Sequence, residues 1–476
     1  MTTVSHASPI PSTAMQRLTT FLAQREAARG EGMPFSEFER EVHERVAAVE
    51  REAVAAELAR RDVDAPEVFI DGVRHRRVLR SEAPYITLAG EVRVMRTLFA
   101  HRSADSRSIC AVDVRAGIVE GYWTPAAARL AVWSVAHLTP GEAETMFEMA
   151  GGMAPSRSSL DRLPKALSDR WEESRPEFEA AVRTQEALPA GAVTVAVSLD
   201  GVLTPMKDGK RGEKRAASEE AGRQASGPAG YQEVGCGTVS LYNADGERLS
   251  TVYMSRMPES RKATLKEELV DEIAHLLRLS PSLTLVKVAD GAKDNWTFLT
   301  KLPGRNNEVL DFYHAAEHLG RAIDAAFGEG TAEARDYAHK LRERLLEDDG
   351  VERVIRALRY LRKTHPRAKS IERELAFFRN NRHRMQYAEM RAKNLPIGSG
   401  VVEAACKTVV GQRLKRSGMR WRSPGGQAIL TFRSLALSGR FDRAWRLLEA
   451  GYLAEVRSAN NARSYDVAAD GKRASA

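Results

Sequence analysis

The hydrophobic pattern of the chain changes most sharply near residue 192. Residues 193–202, VTVAVSLDGV, form a continuous apolar and β-branched run that becomes polar only at its end. A run of this kind is typical of a strand buried on both faces of a sheet. Two further strands are predicted at CGTVSLYN and RLSTVYMSRM, joined by an Ala-Asp-Gly turn, and a buried strand at LTLVKVADG. The pattern therefore predicts a sheet domain that begins at about residue 191.

Helices are predicted between these strands at about 262–279 and 294–300, and EVLDFYH predicts a last strand. Three strands, a helix, a strand, a helix and a strand is the element order of the RNase H-like fold. Residues 315–391 are helical and highly charged throughout, which is too long a stretch for a loop of a compact domain. We therefore expect an α+β multidomain protein, with an RNase H-like α/β core that carries an all-helical insertion.

The first third of the chain has different spacings of hydrophobic residues. Residues 34–61 predict one long amphipathic helix, for packing or self-association. Residues 68–102 alternate and contain turn signals, which predicts short antiparallel strands with arginines on the solvent face. Only His101 and Cys110 are available there as zinc ligands, so we expect no metal in this module.

Residues 124–171 are again helical and have helix-turn-helix proportions. Two Thr-Pro pairs mark helix starts. The second helix of the pair carries an apolar face and leaves cations free for phosphates or bases; the apolar positions are Leu160, Leu163, Leu167 and Trp171, and the cations are Arg157, Arg162 and Lys165. A helical hairpin without a DNA-reading role fits the same pattern.

These patterns divide the chain into seven regions. They are an N-terminal helical region at 1–64, a small β-rich module at 65–118, a helix-turn-helix-like region at 119–190, the first part of the core at 191–326, the helical insertion at 327–392, a glutamate-bearing helix with C-terminal helices at 393–450, and a disordered tail at 451–476. A charged, Gly- and Ala-rich loop is predicted at 207–230.

Composition favours an anionic partner such as nucleic acid, since Lys+Arg number 72 against 64 Asp+Glu, for a net charge of +8. The basic residues of the insertion are either a solvated face or a DNA surface. Three cysteines without a CxxC pair fit a reducing cytosol. No signal peptide and no apolar run long enough to span a membrane are expected, so we predict a cytoplasmic protein.

Asp200 and Asp290 are the candidate catalytic acids, because each ends an apolar strand and each precedes a glycine. Ends of neighbouring strands are where side chains converge in open α/β folds. Glu403, near the start of a helix with small neighbours, is the third candidate. Phosphodiester cleavage uses two metal ions about 3.5–4 Å apart, and all-oxygen ligands select Mg²⁺ or Mn²⁺. We expect Asp200 to bridge the ions. Ordinary turn aspartates and a dipole-favoured helix glutamate are the alternative.

The segment after Glu403 is basic and contains one tryptophan. Its cations would hold a DNA backbone, and Trp421 would stack on an unpaired base. A solvated helix face with a core tryptophan is the alternative. The cations are Lys407, Arg413, Lys415, Arg416, Arg420 and Arg422.

Taken together, SLDG, VADGAKDNW, DFYHAAEHL and LPIGSGVVEAACKTVVGQRLKRSGMRW resemble bacterial insertion-sequence transposases of the ISKra type, within the Asp-Asp-Glu superfamily. The likeness covers roughly residues 85–450. It implies that Asp200, Asp290 and Glu403 bind Mg²⁺, for which Mn²⁺ substitutes, and that the partners are terminal inverted repeats and target DNA. Synapsis of two element ends implies a homodimer or higher oligomer, associated with the nucleoid.

The resemblance also gives a role to a second motif. Asp311, His314 and His318 resemble the Asp-x-x-His element of Mutator-like enzymes, in which a histidine contacts the scissile phosphate or orients a ligand. A core or surface histidine is the alternative. Two other functions are open: an RNase H-like nuclease without strand transfer, and a non-catalytic, transposase-derived DNA-binding regulator.

Overall fold

The computed structural model describes residues 13–101, 108–207, 220, 222, 230–304, 307–365 and 369–458. The chain forms two compact units, residues 1–175 with 442–476, and residues 176–441. Most of the predicted loop at 207–230, and the predicted tail after residue 458, lie outside the described residues.

The strands and helices are numbered in chain order. The strands are β1 Glu67–Ile70, β2 Val73–Thr87, β3 Gly90–Ala100, β4 Ile109–Cys110, β5 Thr194–Pro205, β6 Tyr231–Tyr242, β7 Arg248–Arg256, β8 Thr284–Ala289, β9 Glu308–Leu310 and β10 Val456–Ser458. The helices are α1 Thr13–Ala27, α2 Phe35–Arg60, α3 Ala111–Ala116, α4 Pro125–His137, α5 Pro140–Ala150, α6 Arg157–Glu173, α7 Arg175–Thr184, α8 Ala263–Leu279, α9 Lys293–Leu299, α10 Phe312–Phe327, α11 Ala332–Arg344, α12 Gly350–Thr364, α13 Lys369–Asn381, α14 Tyr387–Ala392, α15 Gly400–Ala405, α16 Gln412–Leu414, α17 Ser423–Leu437 and α18 Phe441–Ala450. The chain is therefore an α+β protein, as expected.

The first unit contains an antiparallel sheet of strand order β10-β1-β2-β3-β4. Strands β2 and β3 span 15 and 11 residues and are longer than the short strands expected, because a register shift between Arg77 and Leu79 lets one hairpin continue past the irregularity. Strand β10 pairs with β1, although the tail from residue 451 was expected to be disordered.

The helical pair expected in the first unit is formed by α5 and α6. Thr139 and Glu142 make a reciprocal capping box at the start of α5, and the Ser156 hydroxyl accepts from the Ser159 amide at the start of α6. The predicted apolar face of α6 is confirmed, since its four members are buried: Leu160, Leu163, Leu167 and Trp171.

The second unit is built on a mixed sheet of strand order β7-β6-β5-β8-β9. Strands β5, β6 and β7 are antiparallel, whereas β8 and β9 run parallel to β5. Helix α8 precedes β8, and α9 connects β8 to β9, so the predicted order of elements is observed. The last strand is shorter than predicted: it ends at Leu310, because Asp311 caps α10 and the residues from Phe312 are helical. Glycines on β6 admit α8 closely: a Cβ at Gly237 would lie 3.1 Å from the Leu269 methyl groups.

Helices α10 to α14 form the predicted helical segment, and their buried side chains continue the core of the sheet. The same unit contains a buried ion network. Arg440 Nη1 donates to Glu272 Oε2 at 2.9 Å, and its Nε donates to Glu186 Oε1 at 2.8 Å. Within the described ranges, no helix has the length and apolarity needed to cross a membrane.

Candidate active site

The register of the central parallel strands brings Asp200 and Asp290 to one level of the sheet. Thr194 of β5 pairs with Thr284 of β8, an offset of 90 residues (284 − 194), and this register holds to the pair Val197 and Lys287. The two aspartates have the same offset (290 − 200 = 90) and come three residues further along. Asp200 does not end its strand as predicted, because β5 continues antiparallel to β6 as far as Pro205. The parallel pairing of β5 with β8 nevertheless stops before Asp200, so the two aspartates follow it at the same level of the sheet.

Asp290 is oriented by donors from the turn that follows it. Its Oδ1 accepts from the Ala292 amide at 3.0 Å and from Asn295 Nδ2 at 3.1 Å. Asn295 is buried and also lies 3.4 Å from the Leu199 carbonyl, beside Asp200. The side-chain amide of one residue therefore links the middle of β5 to the turn that follows β8.

Glu403 is positioned by the start of α15. Ser399 Oγ donates to Glu403 Oε1 at 3.1 Å, and the Ser399 amide donates to the buried carboxylate of Asp311. Val402 and Ala405 are buried, which holds this helix against the sheet. The small residue at 405 thus has the packing role expected of it, whereas Ala404 is exposed.

The three acids border one cavity of about 250 Å³. It is lined by Leu199, Asp200, Asp290, Tyr313, His314, Glu317, Ser399, Val402 and Glu403. Three elements distant in sequence therefore contribute acids to one site, and His314 joins them.

The local field makes the ionised form of Asp200 costly. Burial raises the pKa of its carboxyl, and the neighbouring Asp290 charge raises the pKa further, whereas the Gly201 amide, which donates at 2.7 Å, lowers it. A cation in the cavity would offset both the burial and the like charge.

Two cysteines touch this site, although nothing in the sequence pattern indicates it. Cys236 faces Asp200 across the β5–β6 pair, and the Cys406 thiol lies 3.8 Å from Asp200 Oδ2. The pKa of Cys406 is raised because its thiol is hydrogen-bonded to Cys236, buried, and next to Asp200. Cys406 therefore remains a neutral donor beside the acid.

The basic segment after Glu403 is split between surface and core. Lys407, Lys415, Arg416 and Arg420 are exposed, and the last three line a second cavity of about 370 Å³ with Lys207 and Tyr231. Arg422 precedes α17 and is also exposed. These cations remain candidates for DNA contact.

Arg413 does not suit the predicted DNA contact. It is only 1% exposed, and its guanidinium lies 5.4 Å from the centroid of the Trp421 ring. Trp421 is half-buried, and its Nε1 donates to the Leu414 carbonyl at 2.8 Å. Arg413 is therefore a core residue here, and Trp421 is tied to the backbone on its polar edge.

The cations of α6 are at the surface of the first unit. Arg157 and Arg162 are exposed, and Arg162 Nε donates to the Ser158 carbonyl at 3.2 Å. Lys165 is partly neutralised by Asp161, 2.5 Å away. Arg157 and Arg162 are thus the more available pair for phosphates.

The donors at the acidic cavity suit a hard divalent cation, since all three acids offer oxygen. Among the described residues, no three His, Cys, Asp or Glu side chains are grouped closely enough to enclose one ion. The acids instead line one cavity from three parts of the unit: β5, the turn after β8, and α15.

No family model matches the chain, and no curated protein is significantly similar to it.

Proposed function

We propose that this protein is an Asp-Asp-Glu DNA transposase that cuts and joins DNA at the terminal inverted repeats of its own insertion sequence. The observation that carries the proposal is the meeting of Asp200, Asp290 and Glu403 around one cavity. The order β7-β6-β5-β8-β9, with β5, β8 and β9 parallel, supports an RNase H-like core with the helical segment as its insertion.

The chemistry would divide among the chain's own residues. Two Mg²⁺ ions, when bound, would activate the nucleophile and hold the leaving oxygen. Mg²⁺ is usually held by one or two carboxylates together with substrate phosphate and water, so each ion needs only two of the three acids. Asp200, Asp290 and Glu403 would hold the ions, with Asp200 as the expected common ligand. Asn295 would hold the Asp290 carboxylate in its orientation, and Ser399 would do the same for Glu403.

The exposed cations would bind the phosphate backbone of the DNA. Lys207, Lys415, Arg416 and Arg420 gather around one cavity in the unit that contains the acids. Such a group binds phosphates without reading sequence. Arg157 and Arg162 on the second helix of the helix-turn-helix-like pair are the proposed readers of the element ends.

Labelled DNA ends of the element, incubated with the full-length protein and Mg²⁺, test the proposal. Joined products are expected. Cut but unjoined ends would indicate a nuclease, and bound but intact ends a non-catalytic regulator; either result overturns the proposed transposition.

The matched variants are Asp200→Asn and Asp245→Asn. Both acids precede a glycine in the same unit, but Asp245 lies in the exposed β6–β7 turn. Asp200→Asn should abolish cleavage and spare end binding, whereas Asp245→Asn should leave both unchanged. Cleavage at the wild-type rate by the first variant would show that the site is misassigned.

A further inference from the structure

A buried carboxylate of the helical insertion is linked to the acidic cavity through two histidines. The Glu374 side chain on α13 is fully buried, and its Oε2 lies 2.5 Å from Nδ1 of His318. The Nε2 atoms of His318 and His314 are 3.2 Å apart, and His314 lines the cavity. A continuous chain of polar contacts therefore runs from the interior of the insertion to the acids.

Aromatic packing holds the same helix against the site. The Phe377 ring stacks on the His318 ring, with centroids 3.5 Å apart and planes at 9°. A Cβ at Gly291, the residue after Asp290, would lie 2.5 Å from Phe377 Cε2. The absence of a side chain at residue 291 thus lets α13 reach the end of β8.

The positions of the protons in this series of hydrogen bonds follow from which atoms are able to donate and which only accept. Arg373 Nη2 lies 2.9 Å from Glu374 Oε1, and Arg321 is 3.8 Å from the same oxygen, so two guanidinium groups face this carboxylate and its oxygens act as acceptors. Nδ1 of His318 must then carry a proton. Burial lowers the pKa of His318, which keeps the ring neutral and leaves a lone pair on Nε2.

That lone pair determines the state of the second histidine. His314 must donate from Nε2 to His318, so a neutral His314 has an unprotonated Nδ1. Nδ1 lies 3.8 Å from Glu317 Oε2, which is beyond hydrogen-bond distance, and Glu317 also lines the cavity. Nδ1 is therefore on the side of His314 that faces Glu317 and the acidic cavity.

We propose that Glu374, acting through His318, is a positioning residue that holds His314 with its proton on Nε2, so that Nδ1 accepts a hydrogen bond from the attacking water or 3′-hydroxyl. The identity of the nucleophile rests on the proposed function; the tautomer does not. The insertion thereby contributes to the chemistry as well as to the shape of the core.

Glu374→Gln should reverse the direction of the hydrogen bonds that link residue 374, His318 and His314. Arg373 donates to one oxygen of residue 374, so the amide oxygen of glutamine is drawn to it and the NH₂ group turns to His318. Nδ1 of His318 would then have to accept, its Nε2 would donate to His314, and the His314 proton would move to Nδ1. A near-isosteric change would thus turn the acceptor in the cavity into a donor.

Imidazole ¹⁵N chemical shifts of the full-length, ¹⁵N-histidine-labelled protein measure this directly. The His314 signals are assigned from their loss in His314→Gln. In the wild type we expect an unprotonated Nδ1 and a protonated Nε2, and in Glu374→Gln the reverse. A protonated Nδ1 in the neutral wild-type ring, or no change in a folded Glu374→Gln, would overturn the proposal.

Two further variants separate this role from a structural one. Glu372→Gln alters an exposed glutamate of the same helix, paired with Arg362, and should leave both histidines unchanged. His318→Phe keeps an aromatic ring against Phe377 but removes the acceptor, so His314 should become a mixture of tautomers. This variant tests the proposal independently of whether Glu374→Gln folds. A single retained tautomer in that variant would contradict the relay.

DNA cleavage provides the last readout. Glu374→Gln should slow the chemical step by about 10²–10⁴-fold at unchanged affinity for DNA ends, the range expected for one proton-transfer group, and Glu372→Gln should not. If no variant or wild type cleaves DNA, the proposed function fails while the tautomer remains decided by its chemical shifts.

Discussion

Asp200 lies half-buried within β5, just beyond its parallel pairing with β8, where burial and the neighbouring Asp290 charge raise the pKa of its carboxyl above the ordinary 3.8. A raised pKa means that the folded state binds the proton more tightly than the unfolded state. The contribution of this group to stability is therefore present below pH 3.8 and is lost as the pH rises through the folded pKa. At neutral pH the ionised Asp200 destabilises the metal-free fold.

Asp200→Asn should accordingly raise the stability of the metal-free protein by about 0.5–2 kcal/mol at pH 7, since it removes a clustered charge at a functional site. Thermal unfolding in EDTA measures this. Added Mg²⁺ should raise the Tm of the wild type and of Asp245→Asn but hardly that of Asp200→Asn. An equal Mg²⁺ effect on all three would mean that the ion binds elsewhere.

Arg440 is also a buried charge, but unlike Asp200 it is paired with groups of opposite charge. Its side chain is 8% exposed and that of Glu272 is 1% exposed. Arg440→Met should cost about 3–5 kcal/mol in urea unfolding, because Glu272 would be left buried and unpaired. Arg353→Met, which breaks the exposed pair with Glu347, should cost at most about 1 kcal/mol. Similar losses would contradict the burial assigned to Arg440.

At the scale of the element, α15 decides whether Glu403 reaches the cavity. Ala405 is fully buried on this helix and Ala404 is exposed. Ala405→Leu should overpack the contact with the sheet, cost about 1–3 kcal/mol and strongly reduce cleavage. Ala404→Leu is the matched control and should change neither. Cleavage at the wild-type rate by a folded Ala405→Leu would show that close packing of this helix against the sheet is not required for activity.

The strands that carry the acids could be predicted because their signal is local. Residues 193–199 and 283–289 are predominantly apolar and β-branched, and an aspartate follows each run directly. The length of the β2–β3 hairpin was underestimated, since a bulge interrupts the alternation that sequence reading depends on. The RNase H-like description of the core stays a prediction.

Arg413 was placed among the DNA-contacting cations because of its charge, without regard to the face of the helix on which it lies. Its position continues the buried series Val402, Cys406 and Val409 at helical spacings of three and four residues. The Arg413 side chain consequently packs in the interior against Trp421.

Glu374, Cys236 and Cys406 had no sequence signal at all. Each is an ordinary residue of its own element and gains its meaning from a partner far along the chain, such as His318 or Asp200. Spacing rules describe neighbours on one helix or strand, so contacts of this kind require the tertiary structure.

At the scale of the whole molecule, the net charge of +8 is distributed over exposed cations in both units. If α6 grips DNA, the double variant Arg157→Ala, Arg162→Ala should weaken end binding and reduce the slope of log K against log[salt] by about 0.9 for each lost phosphate contact. Binding isotherms at several salt concentrations give the slope. An unchanged slope would leave α6 as part of a helical hairpin without contact to the backbone.

The central claim is that Asp200, Asp290 and Glu403 jointly hold two divalent ions against DNA. A crystal of the protein with end DNA and Mn²⁺, mapped by anomalous scattering, tests it most directly. The account predicts two peaks about 3.5–4 Å apart in the acidic cavity, both contacted by Asp200, one by Asp290 and the other by Glu403. Well-ordered end DNA with no peak between these three carboxylates would contradict it.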